Sequence, residues 1–415
     1  MASKKRVNKM DVETVWRGLV REEGGKIVYI IMDGVGGLPH PKTNRSELQA
    51  AKTLNLDRLA RNSACGLLEM VGPGITPGSG PGHLALFGYD PIKYNIGRGL
   101  LSALGVDFKL KPGDVAARVN FATADETGKV VDRRAGRIDT ETNRRLCDAI
   151  RNGISLDVDG DFFFETVSEH RAVLVLRGPG LGGELSDTDP QKPGMPPSDP
   201  LGLNEDSVKT AGIVRSFVDQ ARDILSKKEK ANTILLRGFD SFKPFMPLHE
   251  LFKLKGVCIA DYPMYQGLSR LLGMEVIPPE NKETIEASFD TLGTTYGEDY
   301  DFYFLHIKKT DSTGEDGDFD EKVKAIEAVD QFIPRIGNLN PDVLVVTGDH
   351  STPAVMGSHS WHPVPVMIRS KWARVDEVEA FDEFACAQGS LGLRPGKHLM
   401  GLALAHAGRL KKYGA

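Results

Sequence analysis

The fold of this chain is indicated first by the stretch IVYIIMDG at residues 27–34, an apolar run that ends in an aspartate and a glycine. Two later stretches have the same design, FYFLHIKKTD at 302–311 and VLVVTGDH at 343–350. Short apolar runs that end in turn residues are typical of buried parallel strands. In an open α/β sheet the carboxyl ends of such strands line one crevice. The pattern therefore predicts a site assembled from three strand ends.

Length, composition and net charge limit the classes of protein to which this chain can belong. A chain of 415 residues exceeds one ordinary core, so two domains are expected, and contents of 40% hydrophobic and 26% charged residues are typical of globular proteins. The net charge of -5 gives no positive field for nucleic acid or anionic lipid. No run approaches the roughly 18 apolar residues that span a bilayer. We expect a cytoplasmic protein without nucleic-acid or membrane partners, and oligomerisation is left open.

The order of the apolar runs indicates an α/β chain with an inserted domain. Helices are predicted at 12–20, 54–62, 79–87 and 319–336. Strands are predicted at 26–32, 115–121, 172–176, 233–236, 256–259, 302–307 and 343–346, and the segment 178–200, dense in Gly and Pro, is predicted to be a long loop. We predict a discontinuous catalytic domain, 1–114 and 291–415, and a cap domain at 115–290. Two sequential domains are the alternative, but they would separate Asp33 from Asp349.

A serine in a glycine-rich turn is the candidate nucleophile. Ser79 lies in TPGSGPGH, residues 76–83, ahead of an apolar stretch. Its glycine neighbours allow close approach of a ligand, and a helix starting there would direct N–H groups at a phosphate. The motif lacks the lysine of a P-loop, and Pro77 replaces the first glycine of a G-x-S-x-G elbow. Taken alone, Ser79 is equally well explained as a helix N-cap.

Acidic residues and histidines at the strand ends are candidate metal ligands. Asp349 and His350 are adjacent, and His359 follows soon after. Carboxylate and imidazole groups suit Mn²⁺, Mg²⁺ or Zn²⁺. Alternatively, Asp33 is a turn residue before glycines, and Asp349 is a cap beside a surface histidine.

The second strand end has its own acidic pair. Asp311 and Glu315 are four residues apart, so a helical turn would place them on one face. The alternative is an acidic first turn for the helix predicted from Phe319, which the helix dipole favours.

The region between the strand ends supplies cations. Several arginines stand in or at the end of apolar strands, where burial without an anion is costly. Guanidinium groups match the geometry of carboxylate and phosphate, although solvated surface arginines are the ordinary alternative. A small, doubly anionic substrate is the simplest explanation for the set Arg118, Arg133, Arg134, Arg137, His170, Arg171, Arg177 and Arg237.

Seven motifs together resemble one family, the archaeal-type cofactor-independent phosphoglycerate mutases of the alkaline phosphatase superfamily. The resemblance runs in matching order from about residue 26 to beyond 400. The motifs are MDG (32–34), TPGSGPGH (76–83), GRG (97–99), DRRAGR (132–137), SDTDP (186–190), TGDHSTP (347–353) and PVP (363–365).

The resemblance implies a fold and a reaction. The fold would be α/β, with an alkaline-phosphatase-like central sheet, helices on both its faces and an inserted α+β cap domain. The reaction would interconvert 3-phosphoglycerate and 2-phosphoglycerate, with Ser79 as the nucleophile that carries the phosphoryl group.

The resemblance also implies the ligand sets. One divalent metal ion would be held by Asp33, Ser79, Asp349 and His350, and the other by Asp311, Glu315 and His359. His359 rather than His362 is the match, since it stands four residues before Pro363. Substrate would be bound by residues of the cap, among which Asp189 and His170 would handle protons: Arg118, Arg133, Arg134, Arg137, His170, Arg171, Asp189 and Arg237.

One position departs from the family pattern. Where the family usually has histidine, this chain has Glu315. A carboxylate suits Mn²⁺ or Mg²⁺ and disfavours Zn²⁺, so either of the first two is the expected metal. Two other functions stay open: a metal-dependent phosphatase or other phosphomutase of the same superfamily, and a non-catalytic relative with an impaired metal site at Glu315.

Overall fold

The computed structural model describes residues 11–94, 96–281 and 284–414. The chain divides into two compact units. The larger unit is built from the ranges Met1–Asn95, Met246–Tyr262 and Leu272–Ala415, and the smaller from Ile96–Phe245 and Pro263–Leu271.

Strands and helices alternate along most of the chain. The strands are β1 (Ile27–Met32), β2 (Ala64–Glu69), β3 (Val115–Ala124), β4 (Val130–Asp132), β5 (Asp161–Ser168), β6 (Arg171–Arg177), β7 (Thr233–Ser241), β8 (Gly256–Ile259), β9 (Glu275–Val276), β10 (Phe302–Ile307), β11 (Val343–Thr347), β12 (Val364–Ser370) and β13 (Gly392–Pro395). The α-helices are α1 (Val12–Leu19), α2 (Glu47–Ala50), α3 (Leu54–Ala60), α4 (Ser79–Leu86), α5 (Arg98–Gly105), α6 (Thr140–Gly153), α7 (Val208–Leu225), α8 (Leu248–Leu251), α9 (Pro263–Leu271), α10 (Ile285–Thr295), α11 (Lys309–Glu315), α12 (Phe319–Leu339), α13 (Glu383–Cys386) and α14 (Leu399–His406). Among the described residues, no helix is long and apolar enough to cross a bilayer.

The larger unit is organised by an eight-stranded sheet with the order β13-β2-β12-β11-β1-β10-β8-β9. β1 lies inside this sheet and pairs in parallel with both β10 and β11. All of its residues are buried, as expected for a parallel strand covered on both faces. On the other side of β11, β12 runs antiparallel to both of its neighbours, β11 and β2.

The smaller unit is an antiparallel sheet with helices. β3 is its central strand and pairs with β4, β6 and β7, while β5 pairs with β6. Its core joins strand residues such as Phe164 and Leu174 to Phe217 and Val214 of α7. The predicted fold class, an α/β protein with an α+β insertion, is confirmed.

The structure also agrees with the predicted strands and helices to within a few residues at their ends. The segment 178–200 contains no helix or strand beyond one isolated bridge, as predicted. β2 and β12 were missed, although both belong to the main sheet.

The boundaries of the inserted unit differ from the prediction of 115–290. The smaller unit begins at Ile96 because α5 packs on β3 and β7. The stretch Gly256–Ile259, predicted inside the insertion, pairs in parallel with β10 and so belongs to the main sheet. After Phe245 the chain returns to the larger unit, but the later segment Pro263–Leu271 again belongs to the smaller unit.

A largely buried carboxyl group supports the loop that follows β1. Glu383 of α13 accepts hydrogen bonds from the Gly37 N–H and the Ser46 hydroxyl, each at 2.6 Å. Burial raises the pKa of Glu383 to about 7, against the opposing effects of these hydrogen bonds and of Lys322. The folded protein therefore retains a proton that an exposed glutamate loses at lower pH.

We expect the substitution Glu383→Gln to weaken the pH dependence of stability. Because the folded-state pKa of about 7 lies above the ordinary value of 4.5, the native state binds more protons than the unfolded chain between these values. The contribution of Glu383 to the free energy of unfolding is fully present below pH 4.5, and it is lost as the pH rises through about 7. The whole shift corresponds to about 3 kcal/mol.

Urea denaturation from pH 4 to 8 measures this effect. The wild type should lose stability with rising pH relative to Glu383→Gln, and the exposed control Glu379→Gln should follow the wild type. Identical profiles for all three proteins would contradict the assignment.

Candidate active site

The parallel register brings the predicted strand ends together. Ile31 of β1 lies beside His306 of β10 and Thr347 of β11. Asp33 comes two residues after Ile31, and Asp349 comes two residues after Thr347. Both therefore lie at the same edge of the sheet. This is the carboxyl edge, where open α/β sheets place their ligands.

The first cluster combines two aspartates and a histidine. The Nε2 atom of His350 lies 3.3 Å from Oδ1 of Asp33 and 3.2 Å from Oδ2 of Asp349. All three side chains are fully buried. One ligand atom from each lies within 4.8 Å of the others, close enough to hold one metal ion. The Ser79 hydroxyl lies 3.3 Å from the same Nε2 atom.

The hydrogen bonds of Thr352 assign the tautomer of His350. The Thr352 hydroxyl lies 2.6 Å from Oδ1 of Asp311 and 2.9 Å from Nδ1 of His350. A carboxylate can only accept, so the hydroxyl donates to Asp311 and accepts the Nδ1–H of His350. The Nε2 lone pair then faces two carboxylates. Three acceptor atoms directed at one another repel unless a cation lies among them, so this donor set fits a divalent metal.

The second cluster lies next to the first. Nε2 of His359 is 3.5 Å from Oδ1 of Asp311 and 3.5 Å from Oε1 of Glu315. Its ring stacks on that of His350, with 3.7 Å between the ring centroids. Against the effect of burial, Glu315 and Asp311 raise the pKa of His359 to about 9. The environment of this histidine therefore favours positive charge.

Helix α4 places the candidate nucleophile. Ser79 is its first residue, and Gly78 at the N-cap provides no capping side chain. The backbone of α4 comes very close to the Asp349 loop, because a Cβ atom on Gly82 would lie 2.3 Å from the Asp349 carbonyl oxygen. Ser79 is therefore held at both the positive end of the helix and the edge of the first cluster.

Lys308 was missed as a site residue. It follows β10 directly, and its ammonium lies 3.1 Å from Oδ2 of Asp33 and pairs with Asp311. Although burial opposes it, these two carboxylates raise the pKa of Lys308 above its ordinary value. The strand-end rule that selected Asp33 could have found it, since Lys308 occupies the same position on the neighbouring strand.

Two buried histidines were also missed. His83 lies one helical turn after Ser79, and its Nδ1 is 2.8 Å from the Ser79 carbonyl oxygen and 3.2 Å from Oδ2 of Asp349. The spacing of four residues from Ser79 is a usable signal. His306 lies inside β10, 3.2 Å from Oδ2 of Asp33, and its place in an apolar run gave no signal.

Within the smaller unit, two predicted arginines face each other. Arg118 of β3 is paired in register with Arg237 of β7. Like charges directly opposite on neighbouring strands repel unless an anion lies between them. Burial is the main cause that lowers the pKa of Arg237, and Arg98 adds to the effect.

His170 is surrounded by positive charge in the same unit. Burial lowers its pKa to about 4, so the ring is neutral at neutral pH. The cations that add to this shift are four of the predicted arginines: Arg171, Arg118, Arg134 and Arg137.

Arg133 has a partner of its own. It donates to both carboxylate oxygens of Asp189, at 2.9 and 2.7 Å. Although burial opposes it, the ion pair lowers the pKa of Asp189. Asp189 therefore favours the ionised form in this pair, and its role in handling protons stays a prediction.

The chain is similar to curated proteins over nearly its whole length. A family model described as 2,3-bisphosphoglycerate-independent phosphoglycerate mutase matches residues 60–231. A probable 2,3-bisphosphoglycerate-independent phosphoglycerate mutase from Thermus thermophilus is 50% identical over 98% of this chain and 100% of its own length. A protein of the same name from Thermotoga maritima is 50% identical over 96% of this chain and 98% of its own length.

Solved structures agree with this likeness. A protein from Pyrococcus horikoshii superposes with a TM-score of 0.80 at 28% identity, over 94% of this chain and 100% of its own. A cofactor-independent phosphoglycerate mutase from Thermoplasma acidophilum gives a TM-score of 0.69 at 30% identity, over 92% of this chain and 100% of its own. The resemblance inferred from the motifs is confirmed: the chain belongs to the family of 2,3-bisphosphoglycerate-independent phosphoglycerate mutases.

Proposed function

We propose that this enzyme interconverts 3-phosphoglycerate and 2-phosphoglycerate through a phosphoserine on Ser79. The observation that carries the proposal is the position of the Ser79 hydroxyl, 3.3 Å from Nε2 of His350 and at the start of α4. A phosphoryl group on this oxygen would lie at the positive end of the helix, where N–H groups favour anions. The names of the relatives give the substrate class.

The proposal includes two divalent ions. Asp33, Asp349 and His350, with Ser79, would hold one ion, and Asp311, Glu315 and His359 the other. When bound, such ions lower the pKa of a coordinated hydroxyl and offset the charge of a transferring phosphoryl group. Because oxygen ligands predominate, Mn²⁺ or Mg²⁺ suits the site better than Zn²⁺.

The reaction consists of two transfers of one phosphoryl group. In the first, the Ser79 hydroxyl loses its proton as its oxygen bonds to phosphorus, the bond to the C3 oxygen breaks, and that oxygen gains one proton as glycerate leaves. Glycerate then reorients, and its 2-hydroxyl oxygen bonds to phosphorus as the bond to Ser79 breaks. The 2-hydroxyl loses one proton and the Ser79 oxygen gains one, so protons balance and the serine hydroxyl is regenerated. Lys308, whose ammonium pairs with both Asp33 and Asp311, would offset part of the negative charge throughout.

The arginines of the smaller unit would hold the anionic substrate. Arg118 and Arg237 offer two guanidinium groups in register, and Arg134, Arg137 and Arg171 add charge near His170. A mutase must keep glycerate bound between the two transfers and must exclude water. If water entered, it would take the phosphoryl group and the enzyme would act as a phosphatase. The ion pair with Asp189 would hold the guanidinium group of Arg133 in a fixed orientation.

A coupled assay separates the candidate functions. With 3-phosphoglycerate as substrate, enolase detects any 2-phosphoglycerate, and the assay is run with Mn²⁺, Mg²⁺ or Zn²⁺. Formation of 2-phosphoglycerate supports the mutase. Release of inorganic phosphate alone would favour the phosphatase, and no turnover with any metal would favour the non-catalytic relative.

Location and partners stay predictions. We also propose a cytoplasmic location without nucleic-acid or membrane partners, as the composition predicts, and oligomerisation stays open. A small phosphoglycerate is the partner that the family suggests.

We expect Ser79→Ala to lower kcat by more than ~10⁴-fold, because the nucleophile of a covalent mechanism has no substitute. Intact-mass spectrometry after incubation with substrate should show an added phosphoryl group on the wild type and none on the variant. The exposed residue Ser358 supplies the matched control Ser358→Ala, which should keep wild-type activity. Mutase activity of Ser79→Ala within tenfold of the wild type would refute the nucleophile.

We expect Glu315→His to shift metal preference towards Zn²⁺. An imidazole is a softer ligand than a carboxylate, so the ratio of the Zn²⁺ and Mn²⁺ dissociation constants should fall, by about tenfold if Glu315 is a ligand. Competition titration with a chromogenic chelator measures this ratio. The variant Asp316→His introduces the same side chain at the neighbouring exposed position and should leave the ratio unchanged. An unchanged ratio for Glu315→His would exclude Glu315 from the ligand set.

A further inference from the structure

A buried lysine lies behind the loops that carry the proposed metal ligands. Lys322 of α12 is fully buried. Its ammonium group donates to three backbone carbonyl oxygens, those of Gly34 at 2.9 Å, Gly36 at 3.1 Å and Thr352 at 2.7 Å. An ammonium has three N–H bonds, so all three are used, whereas a neutral amine would leave one carbonyl without a donor.

These carbonyls belong to two different ligand loops. Gly34 follows Asp33 after β1, and Thr352 lies two residues after His350. The loops are also bonded directly, because the Thr352 N–H donates to the carbonyl oxygens of Gly34 and Gly36, at 3.2 and 3.0 Å. The Gly34 N–H in turn donates to Oδ1 of Asp349 at 3.1 Å. Lys322 thus lies at the junction of the loops that follow β1 and β11.

Thr352 connects this junction to both ligand clusters. Its hydroxyl donates to Asp311 and accepts from Nδ1 of His350. The carbonyl oxygen of this residue is the acceptor closest to the Lys322 ammonium, at 2.7 Å. A shift of the Thr352 backbone would therefore turn the His350 ring and release Asp311 together.

Two carboxyl groups act on the charge of Lys322. Burial lowers the pKa of Lys322, and Glu47 and Glu383 are the main groups that oppose this shift. Both lie in segments that support the same loops. Oε1 of Glu47 accepts from the Ala354 N–H at 2.7 Å, and Glu383 accepts from the Gly37 N–H. A buried ammonium is costly, so its presence at this junction calls for a reason beyond packing.

We propose that Lys322 is a positioning residue for the metal site: its three hydrogen bonds hold the Asp33 and His350 loops in their ligating arrangement before any cation enters. The inference rests on the proposed function in that it takes these residues as metal ligands. Preformed ligands bind a metal more tightly because less order is imposed at binding.

Calorimetric titration of the full chain with Mn²⁺ tests this role. Lys322→Met keeps the length of the side chain and removes its donors, and we expect a Mn²⁺ dissociation constant ~10- to 100-fold above that of the wild type, the range seen when outer-shell partners of a metal site are removed. Lys324→Met is the matched control, since Lys324 lies on the same helix, is exposed and pairs with Glu321. It should bind Mn²⁺ as the wild type does. At saturating Mn²⁺, Lys322→Met should recover most of its kcat.

The outcomes separate this inference from the proposed function. If Lys322→Met has lower thermal stability but the wild-type dissociation constant, Lys322 is merely structural and the inference is overturned. If the wild type itself binds no Mn²⁺, the metal site fails as a whole.

Hydrogen exchange of the wild type decides the question even if Lys322→Met does not fold. The amides of residues 34–36 and 350–352 should exchange slowly both without and with Mn²⁺. Fast exchange that Mn²⁺ suppresses would show that the metal, not Lys322, orders these loops, and would overturn the inference.

Discussion

The in-register parallel pairing of β1 with both β10 and β11 is the constraint on which the site depends. The two ladders place Ile31 beside His306 and Thr347 at the same level of the sheet. A slip of one residue in either ladder would turn the following side chains to the opposite face. Burial opposes such a slip, since every residue of β1 is buried and covered on both faces. The geometry of the carboxylates is thus a consequence of apolar packing several residues away.

This arrangement concentrates negative charge in a space with little water. Asp33, Asp311 and Asp349 are all fully buried. Carboxylates held this close to one another repel. The protein partly offsets this charge with Lys308, whose ammonium pairs with two of the three. The energetic cost of placing carboxylates together is what makes the site selective for cations, because a divalent ion removes the repulsion and gains several ligands at once.

The parts of the molecule that could be predicted from sequence are those with a local signal. Apolar runs ending in polar residues identified β1, β10 and β11, and with them Asp33 and Asp349, because strand burial and strand ends are visible within ten residues. Lys322 could not be found in this way. It lies in an amphipathic helix where lysines are usually exposed, and its partners are nearly 300 residues earlier in the chain at Gly34 and 30 residues later at Thr352. The place of β8 in the main sheet could not be found for the same reason, since its short apolar run does not reveal which sheet it joins.

His350 lies in both groups of possible metal ligands, with Asp33 and Asp349 in the first and with Asp311 and His359 in the second. His350 lies within reach of both carboxylate sets, but Thr352 occupies its Nδ1 atom, so its free lone pair on Nε2 belongs to the first cluster. The second cluster then retains Asp311 and His359, which are too few ligands for a tightly held ion. Oε1 of Glu315 lies 3.5 Å from Nε2 of His359, so under the proposed function it would supply a further oxygen to the second ion. Under the proposed function, Glu315 would therefore give the second ion an oxygen ligand at the position where the resemblance leads us to expect a nitrogen ligand.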